Sequence, residues 1–136
     1  MDQGTSCTIR IAAALLDDDD GRLLLVRKAG TRWFMQAGGK IEDGETALSA
    51  LRRELTEEIG LSLAEGQLRY LGRFSASAAN ELGSIVEAEI YHARVPHSPR
   101  IQSEIEEAVW VSPEEAAAMP LAPLTREHIL PLAQTL

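Results

Sequence analysis

Residues 38–61 read GGKIEDGETALSALRRELTEEIGL, and this stretch decides the fold of the chain. Bulky aliphatic side chains recur in it every three or four residues, at Leu48, Leu51, Leu55 and Ile59. This spacing predicts an amphipathic helix over residues 46–59. Thr46 can cap the start of the helix, and Gly60 stands where a left-handed residue commonly ends one. The glycine-rich segment before the helix predicts a loop whose backbone can approach a ligand closely.

The predicted helix carries a cluster of carboxylates, Glu54, Glu57 and Glu58, beside its apolar stripe. Like charges at spacings of three and four repel each other by roughly a few tenths of a kcal/mol per pair. The cluster also lies toward the C-terminus of the helix, where the helix dipole disfavours negative charge. Taken alone, it fits a solvated acidic face. With the glycine-rich loop beside it, it indicates a site for a hard divalent cation, which takes oxygen ligands.

From Gly39 onward the chain follows the pattern G-x5-E-x7-R-E-U-x-E-E-x-G-U, where U is a bulky aliphatic residue. The positions are filled by Gly39, Glu45, Arg53, Glu54, Leu55, Glu57, Glu58, Gly60 and Leu61. The chain therefore resembles the Nudix hydrolases, whose signature this is. The resemblance implies an α/β fold, an α/β/α sandwich with a mixed β-sheet and a catalytic loop followed by a helix. It also implies hydrolysis of a nucleoside diphosphate linked to another moiety, by water attack on phosphorus with Mg²⁺ or Mn²⁺.

The resemblance assigns a role to each acidic residue of the signature. Glu57 and Glu58 would be metal ligands, and Glu54 would bind metal or take the proton from the attacking water. The carbonyl group of Gly38 would be a further ligand. Such a site suits phosphoryl transfer, which asks mainly for positioning and stabilisation of charge.

Two further positions in this region bear on the geometry of the loop. Glu45 and Arg53 would pair and hold the loop against the helix, which is a mainly structural task. Ala37 stands before the double glycine, where the family usually has proline. Because alanine does not fix the backbone angle φ as proline does, we expect the loop to be less restrained there.

Many family members add one carboxylate from a loop that precedes a late strand containing tryptophan. Glu104, six residues before Trp110, is the candidate for this additional metal ligand. Glu106 and Glu107 compete with it, and a solvated loop charge is the remaining interpretation. The sequence leaves the choice open.

Basic residues gather upstream of the helix, in a chain whose net charge is −8. Arg27, Lys28 and Arg32 are candidates for contact with a substrate phosphate. Lys40 and the backbone of Gly39, both in the loop, are further candidates. Ordinary solvation at the surface is the alternative for each side chain.

The rest of the chain predicts strands and short helices. Strands are expected over residues 8–16, 22–28, 68–74, 85–95 and 108–111, with a turn at 79–83. The first two would form a hairpin around a solvated acidic turn at 17–21. A brief helix would start at 112 or 113 and run to 119, and Pro131 would disturb a terminal helix over 125–132. Together with helix 46–59, this order predicts one α/β domain over residues 1–136.

Composition narrows the classes of partner. The chain has 136 residues, of which 45% are hydrophobic and 25% charged, which is typical of a soluble globular domain. Its acidic balance argues against nucleic acid as a partner, and its apolar stretches are too short to span a membrane. The single cysteine, Cys7, fits a reducing cytoplasm. Both a monomer and a homodimer stay open.

The sequence therefore predicts a Mg²⁺-dependent pyrophosphohydrolase, with Mn²⁺ as an alternative metal. A small free nucleotide, such as a damaged or surplus (deoxy)nucleoside triphosphate, is the favoured substrate. ADP-ribose, nucleotide sugars and dinucleoside polyphosphates are alternative substrates. A non-catalytic nucleotide-binding sensor on the same fold is the alternative function. The loss of Glu54, Glu57 or Glu58 would have favoured the sensor, but all three residues are present.

Overall fold

A computed structural model describes residues 7–81 and 83–136, so residue 82 of the predicted turn at 79–83 lies outside the described part. The strands are β1 (Thr8–Asp17), β2 (Leu23–Lys28), β3 (Phe34–Met35), β4 (Gly38–Lys40), β5 (Arg69–Ser77), β6 (Ile85–Arg94) and β7 (Ile105–Val111). The α-helices are α1 (Ala47–Ile59), α2 (Pro113–Ala117) and α3 (Leu130–Ala133). Within the described residues, no helix has both the length and the apolar character needed to cross a membrane.

The seven strands form one mixed sheet, in which five follow the order β3-β2-β1-β6-β5, while β4 pairs with β1 and β7 pairs with β2. β1 runs parallel to β6 along its whole length, whereas its other neighbours are antiparallel. β1 and β2 share a single register pair, Asp17 with Leu23, because β4 occupies the same edge of β1 from Ile11 to Ala13. The first two strands therefore pair only where the predicted hairpin turns, and the glycine-rich loop pairs with the central strand β1 through β4.

The acidic turn after β1 is only partly solvated, which corrects the sequence-based prediction. Asp17 is buried, and its carboxylate contacts Nε2 of His92 at 2.8 Å and Nη2 of Arg94 at 3.2 Å. Asp18 is also buried and accepts hydrogen bonds from the backbone N–H and from Nε of Arg22. These two carboxylates therefore form ionic contacts at the end of β1. The partners of Asp17 come from β6, about 75 residues away in sequence.

The sheet separates two apolar layers. Alternate side chains of β1 belong to different clusters, because successive residues of a strand point to opposite faces. Ala12 and Leu16 pack with the apolar side chains of α1, whereas Ala13 and Leu15 pack with the residues around α2 and α3. This arrangement of helices on both faces of a mixed sheet confirms the predicted α/β fold.

Helix α1 has the caps that its sequence predicts. The Thr46 side chain accepts a hydrogen bond from the backbone N–H of Ser49 at 3.1 Å, and Gly60 adopts the left-handed conformation with φ 68°. Leu51, Leu55 and Ile59 are fully buried on the face that meets the sheet. The buried stripe fixes the rotation of the helix, so the carboxylates beside it lie at the edge of the core next to the loop.

Substituting Thr46→Ala should lower the free energy of unfolding by about 1 kcal/mol, because the N–H of Ser49 loses its acceptor. Urea unfolding followed by circular dichroism measures the change. Ser49→Ala is the matched control, since it keeps the acceptor and replaces an exposed helical residue by a better helix former. Equal stabilities of the two variants would contradict the capping role.

The C-terminal segment differs from a regular helix. A π-helical turn covers Thr125–Ile129 and leads directly into α3. Pro131 lacks the N–H that an α-helix needs and crowds the preceding turn, which explains why the segment widens before it. The predicted disturbance of the terminal helix is therefore present, and it places the Thr125 side chain in the interior.

Candidate active site

Gly38 and Gly39 pack too closely against their surroundings for any side chain. A Cβ on Gly38 would lie 2.2 Å from the carbonyl oxygen of Ala12 in β1. A Cβ on Gly39 would lie 2.4 Å from the carboxyl carbon of Glu54 in α1. The double glycine therefore lets the loop lie directly between β1 and the carboxylates of α1.

The loop is also restrained just before the double glycine, although Ala37 takes the place of the usual proline. Ala37 is buried, and its carbonyl group accepts a hydrogen bond from the N–H of Ala14 at 3.0 Å. Beyond the glycines, the N–H of Ile41 donates to the carbonyl of Arg10 at 3.1 Å. The loop is thus hydrogen-bonded to β1 on both sides of its glycines. These bonds supply the restraint that the ring of a proline at position 37 would otherwise give.

Glu58 is the most buried of the three signature carboxylates. It is 6% exposed, and its Oε1 accepts a hydrogen bond from the N–H of Gly38 at 3.0 Å. Burial raises the pKa of Glu58 to about 7, and the Gly38 N–H and the positive charge of Lys28 offset this only in part. A buried carboxylate with a raised pKa lacks sufficient positive charge around it, and a bound cation would supply that charge.

Glu54 lies in a similar environment. Its side chain is 17% exposed, and its Oε2 accepts a hydrogen bond from Nη1 of Arg53 at 2.9 Å. Burial raises the pKa of Glu54, and the neighbouring charge of Glu57 adds to the effect. Two carboxylates with raised pKa values, both on the face of α1 that meets the double glycine, are of the oxygen donor type that a hard divalent cation takes.

Glu57 completes the set from a more exposed position. Its side chain is 53% exposed, and Nη1 of Arg53 lies 3.5 Å from its Oε1. Across residues 7–81 and 83–136, no three acidic, histidine or cysteine side chains converge closely enough to hold a metal ion. Glu54 and Glu58 are each held by a hydrogen bond, so side-chain rotation would be needed to bring the carboxylates to one cation. Their assignment as ligands, and that of the Gly38 carbonyl, stays a prediction.

Arg53 joins the loop to the helix as the signature implies. Its Nε and Nη2 donate to the two carboxylate oxygens of Glu45 at 2.8 and 2.9 Å, which is a bidentate ion pair. Nη2 also donates to the carbonyl group of Lys40 at 3.3 Å. The Arg53 guanidinium, together with the N–H of Glu42, lowers the pKa of Glu45 to about 2. The pair therefore fixes the loop while Nη1 remains available to orient Glu54.

Replacing Glu45 with Gln should lower the stability of the protein at neutral pH but not in strong acid. Because the pKa of Glu45 is lower in the folded protein than in the unfolded chain, the ion pair stabilises the fold above about pH 4.5. That contribution is lost as the pH falls toward 2, so the difference in unfolding free energy between wild type and E45Q should shrink over this range. Urea unfolding at pH 7, 4 and 3 measures it, with the exposed Glu42→Gln as control. A difference independent of pH would refute the ion pair as the cause.

The structure separates the three acids that compete for the role of additional ligand. Glu106 and Glu107 both pair with Arg27, at 2.9 and 3.1 Å. Glu104 lies near enough to Glu58 to contribute to its raised pKa. This arrangement favours Glu104 over its two neighbours, and its role as a ligand stays a prediction.

The four cationic candidates for substrate contact have different surroundings. The Arg27 guanidinium is engaged by the two acids of β7, and the Arg32 guanidinium lies 4.5 Å from the ring centre of Trp33. Lys28 and Lys40 line a cavity of about 150 Å³ beside the loop, together with Gly38 and Gly39. The structure therefore brings the two lysines and the glycines together and leaves Arg27 and Arg32 outside this cavity. Their contacts with substrate remain predictions.

The same cavity contains a polar pair that the sequence analysis did not single out. Gln36 and Thr125 are 7% and 1% exposed, and Oγ1 of Thr125 donates to Oε1 of Gln36 at 2.8 Å. The two residues are 89 positions apart, so no local pattern joins them. The sequence offers one indication of this pair: the polar residue Gln36 stands between the apolar residues Met35 and Ala37, just before the double glycine.

Comparison with known proteins agrees with the fold and the site. A model of the NUDIX domain family matches residues 8–133. The CTP pyrophosphohydrolase of Escherichia coli strain K12 is 36% identical over 122 residues, covering 85% of this chain and 84% of that protein. The solution structure of the E. coli ORF135 protein is 31% identical with a TM-score of 0.68, covering 95% of this chain and 88% of that chain. The MutT protein of Methanosarcina mazei Go1, 21% identical, shares the fold with a TM-score of 0.78 over 96% of this chain and 95% of that one. The chain therefore belongs to the Nudix family of pyrophosphohydrolases, enzymes that generally use divalent metal ions.

Proposed function

We propose that this Nudix enzyme hydrolyses the diphosphate linkage of a small free nucleoside triphosphate with Mg²⁺, and that Mn²⁺ can replace Mg²⁺. One observation carries the proposal: Glu54 and Glu58, both with raised pKa values, contact the double glycine, and that glycine pair lines a cavity together with Lys28 and Lys40. Glu57, the Gly38 carbonyl and Glu104 would complete the ligand set. The cationic groups at the rim would bring the substrate phosphates to the carboxylates of an otherwise acidic protein.

The residues divide the chemistry among them. When bound, a divalent cation neutralises phosphate charge and makes water a better nucleophile at neutral pH. Glu54 would accept the proton of the attacking water, and two features support this role: burial raises its pKa, and Nη1 of Arg53 donates a hydrogen bond to its carboxylate. Water attacks phosphorus, the bridging P–O bond breaks, and the leaving phosphate departs with the bond electrons. Lys28 and Lys40 would hold the substrate phosphates during this step.

Cytidine triphosphate is the first substrate to test. It is named for the E. coli relative, which matches most of both chains. Damaged or surplus deoxynucleoside triphosphates come next, since another relative, from Haemophilus influenzae, is named an 8-oxo-dGTP diphosphatase. The net charge of −8 disfavours a nucleic-acid substrate, whose phosphate backbone is bound by basic surfaces. We place the enzyme in the cytoplasm, where such nucleotides are found.

Phosphorus NMR of the protein with Mg²⁺ and a panel of substrates tests the proposal. The panel contains CTP, dCTP, the other nucleoside triphosphates, ADP-ribose, a nucleotide sugar and a dinucleoside polyphosphate. We expect a nucleoside triphosphate to be cleaved fastest and chelation of the metal to stop the reaction. Fastest cleavage of ADP-ribose or a nucleotide sugar would replace the proposed substrate class. Tight nucleotide binding without turnover of any compound would refute catalysis.

A further inference from the structure

We infer that the carboxamide of Gln36, held in place by Thr125, contacts the nucleobase and sets the base preference of the enzyme. The inference rests on the proposed function, since it places a nucleotide in the cavity beside the double glycine. It goes further in naming the side chain that distinguishes one base from another and the chemistry by which it does so.

The pair lies in the wall of the cavity, although both side chains are more than nine-tenths buried. Gln36 is 7% exposed and Thr125 is 1% exposed, and both line the cavity of about 150 Å³. The Thr125 hydroxyl donates to Oε1 of Gln36 at 2.8 Å. Among the described residues, the Nε2 group of Gln36 has no hydrogen-bond acceptor. A buried donor left unpaired is destabilising, so a ligand that supplies an acceptor for it would bind more tightly.

Apart from the two lysines and the exposed Ser77, Asn80 and Glu81, the remaining wall carries no polar side chains among the described residues, so Gln36 and Thr125 are the buried polar side chains that line it. Apolar side chains that line the cavity include Ile9, Ile11, Met35, Val86 and Leu124. They can enclose the flat faces of any heterocycle but cannot tell one edge from another. The Nε2 group of Gln36 offers two donors, and these match a carbonyl oxygen or an unprotonated ring nitrogen on the edge of a base. A polar group that fixes orientation in a mostly apolar pocket is the usual source of ligand specificity.

Thr125 determines which end of the carboxamide faces the ligand. Its hydroxyl engages Oε1, so Nε2 is the end that remains for the cavity. Thr125 begins the π-helical turn Thr125–Ile129, a wide turn of the kind frequently found at functional sites. Lys28 and Lys40 line the same cavity, so a nucleotide can contact Gln36 with its base while its phosphates lie toward the lysines and the double glycine.

Binding of nucleoside monophosphates without metal tests the inference independently of catalysis. Titration calorimetry with CMP, UMP, GMP and AMP gives the base preference of the wild type. Gln36→Leu keeps the volume of the side chain and removes its donors, so it should weaken the preferred nucleotide by about tenfold or more. The other nucleotides should change less than about threefold, because they do not use the carboxamide fully.

Two further variants complete the experiment. Thr125→Val keeps the shape of the side chain but frees the carboxamide to turn, so it should reduce the preference without abolishing binding. Gln134→Leu replaces an exposed glutamine outside the cavity and should leave all four affinities unchanged. The preference should thus depend on the two buried residues alone.

The outcomes separate this inference from the proposed function. Unchanged affinity ratios in Gln36→Leu and Thr125→Val, equal weakening of all four nucleotides, or no binding by any of them would overturn the inference. A wild type that binds with a base preference lost in Gln36→Leu, yet cleaves no triphosphate with Mg²⁺, would uphold the inference and refute the proposed function. Cleavage of all triphosphates with equal efficiency would support the proposed function and overturn the inference.

Discussion

Glu57→Gln should lower kcat by about 100-fold or more with Mg²⁺ while leaving the fold intact. A factor of 100 corresponds to about 2.7 kcal/mol of transition-state stabilisation, which is reasonable for a residue that places a metal ion and its charge. Glu57 is the best of the three carboxylates to test because it is half exposed and, among the described residues, its one ionic contact is Arg53 at 3.5 Å. Replacing it therefore changes charge and ligand capacity with little effect on packing.

Steady-state kinetics on the fastest substrate of the panel, together with thermal unfolding, measure both parts of this expectation. Glu114→Gln is the matched control, since it removes one exposed carboxylate from α2, away from the site. The control should retain full activity. An E57Q enzyme within about threefold of wild type would exclude Glu57 as a metal ligand, whereas loss of folded protein would show a structural role in place of a chemical one.

Gly38→Ala should be the most destabilising single substitution in the loop, with a loss of about 3 kcal/mol or more in unfolding free energy. Its Cβ would lie 2.2 Å from the carbonyl oxygen of Ala12 and 2.7 Å from Cα of Ala13. Both atoms belong to the backbone of the central strand, so neither can move aside without breaking the pairing of β1. The positive φ of 155° adds to the cost.

Two other glycines separate the cost of backbone strain from the cost of the steric clash with β1. Gly44 also has a positive φ, 84°, but a Cβ there meets nothing within 4 Å, so Gly44→Ala should cost only about 1 kcal/mol of backbone strain. Gly66→Ala has neither the positive φ nor a close neighbour and should be nearly neutral. Urea unfolding of the three variants gives the comparison. A loss for Gly38→Ala no larger than that for Gly44→Ala would show that β1 yields to the added methyl group.

The sequence predicts best those features whose causes are local. The helix α1 follows from its apolar spacing and from Thr46 and Gly60, whose capping bonds join residues a few positions apart. The pairing of Glu45 with Arg53 follows from the signature, because only eight positions separate the two residues and most of them lie in the first turns of α1. The helix, its caps and the Glu45–Arg53 pair were therefore predicted from the sequence, and the metal ligands stay a prediction.

Features that depend on distant partners could not be predicted in this way. Burial of Asp17 requires His92, and the pairing of Gln36 requires Thr125; each partner comes from an element far along the chain. The three acids before Trp110 look alike in sequence, and the ion pairs of Arg27 with Glu106 and Glu107 distinguish them only in the folded protein. Which side chains pair across the sheet depends on the order of the strands, and the spacing of residues within one segment does not reveal that order.

The insertion of β4 along β1 has a consequence for the motion of the catalytic segment. The amide hydrogens of Ala14 and Ile41 are bonded across this junction, to the carbonyl groups of Ala37 and Arg10. They should exchange with deuterated solvent only when the central strand itself opens, at the slow rate typical of a domain's last-unfolding unit. The loop groups proposed to contact the substrate would thus be held by the slowly exchanging centre of the sheet, and their positions would be set before the substrate arrives.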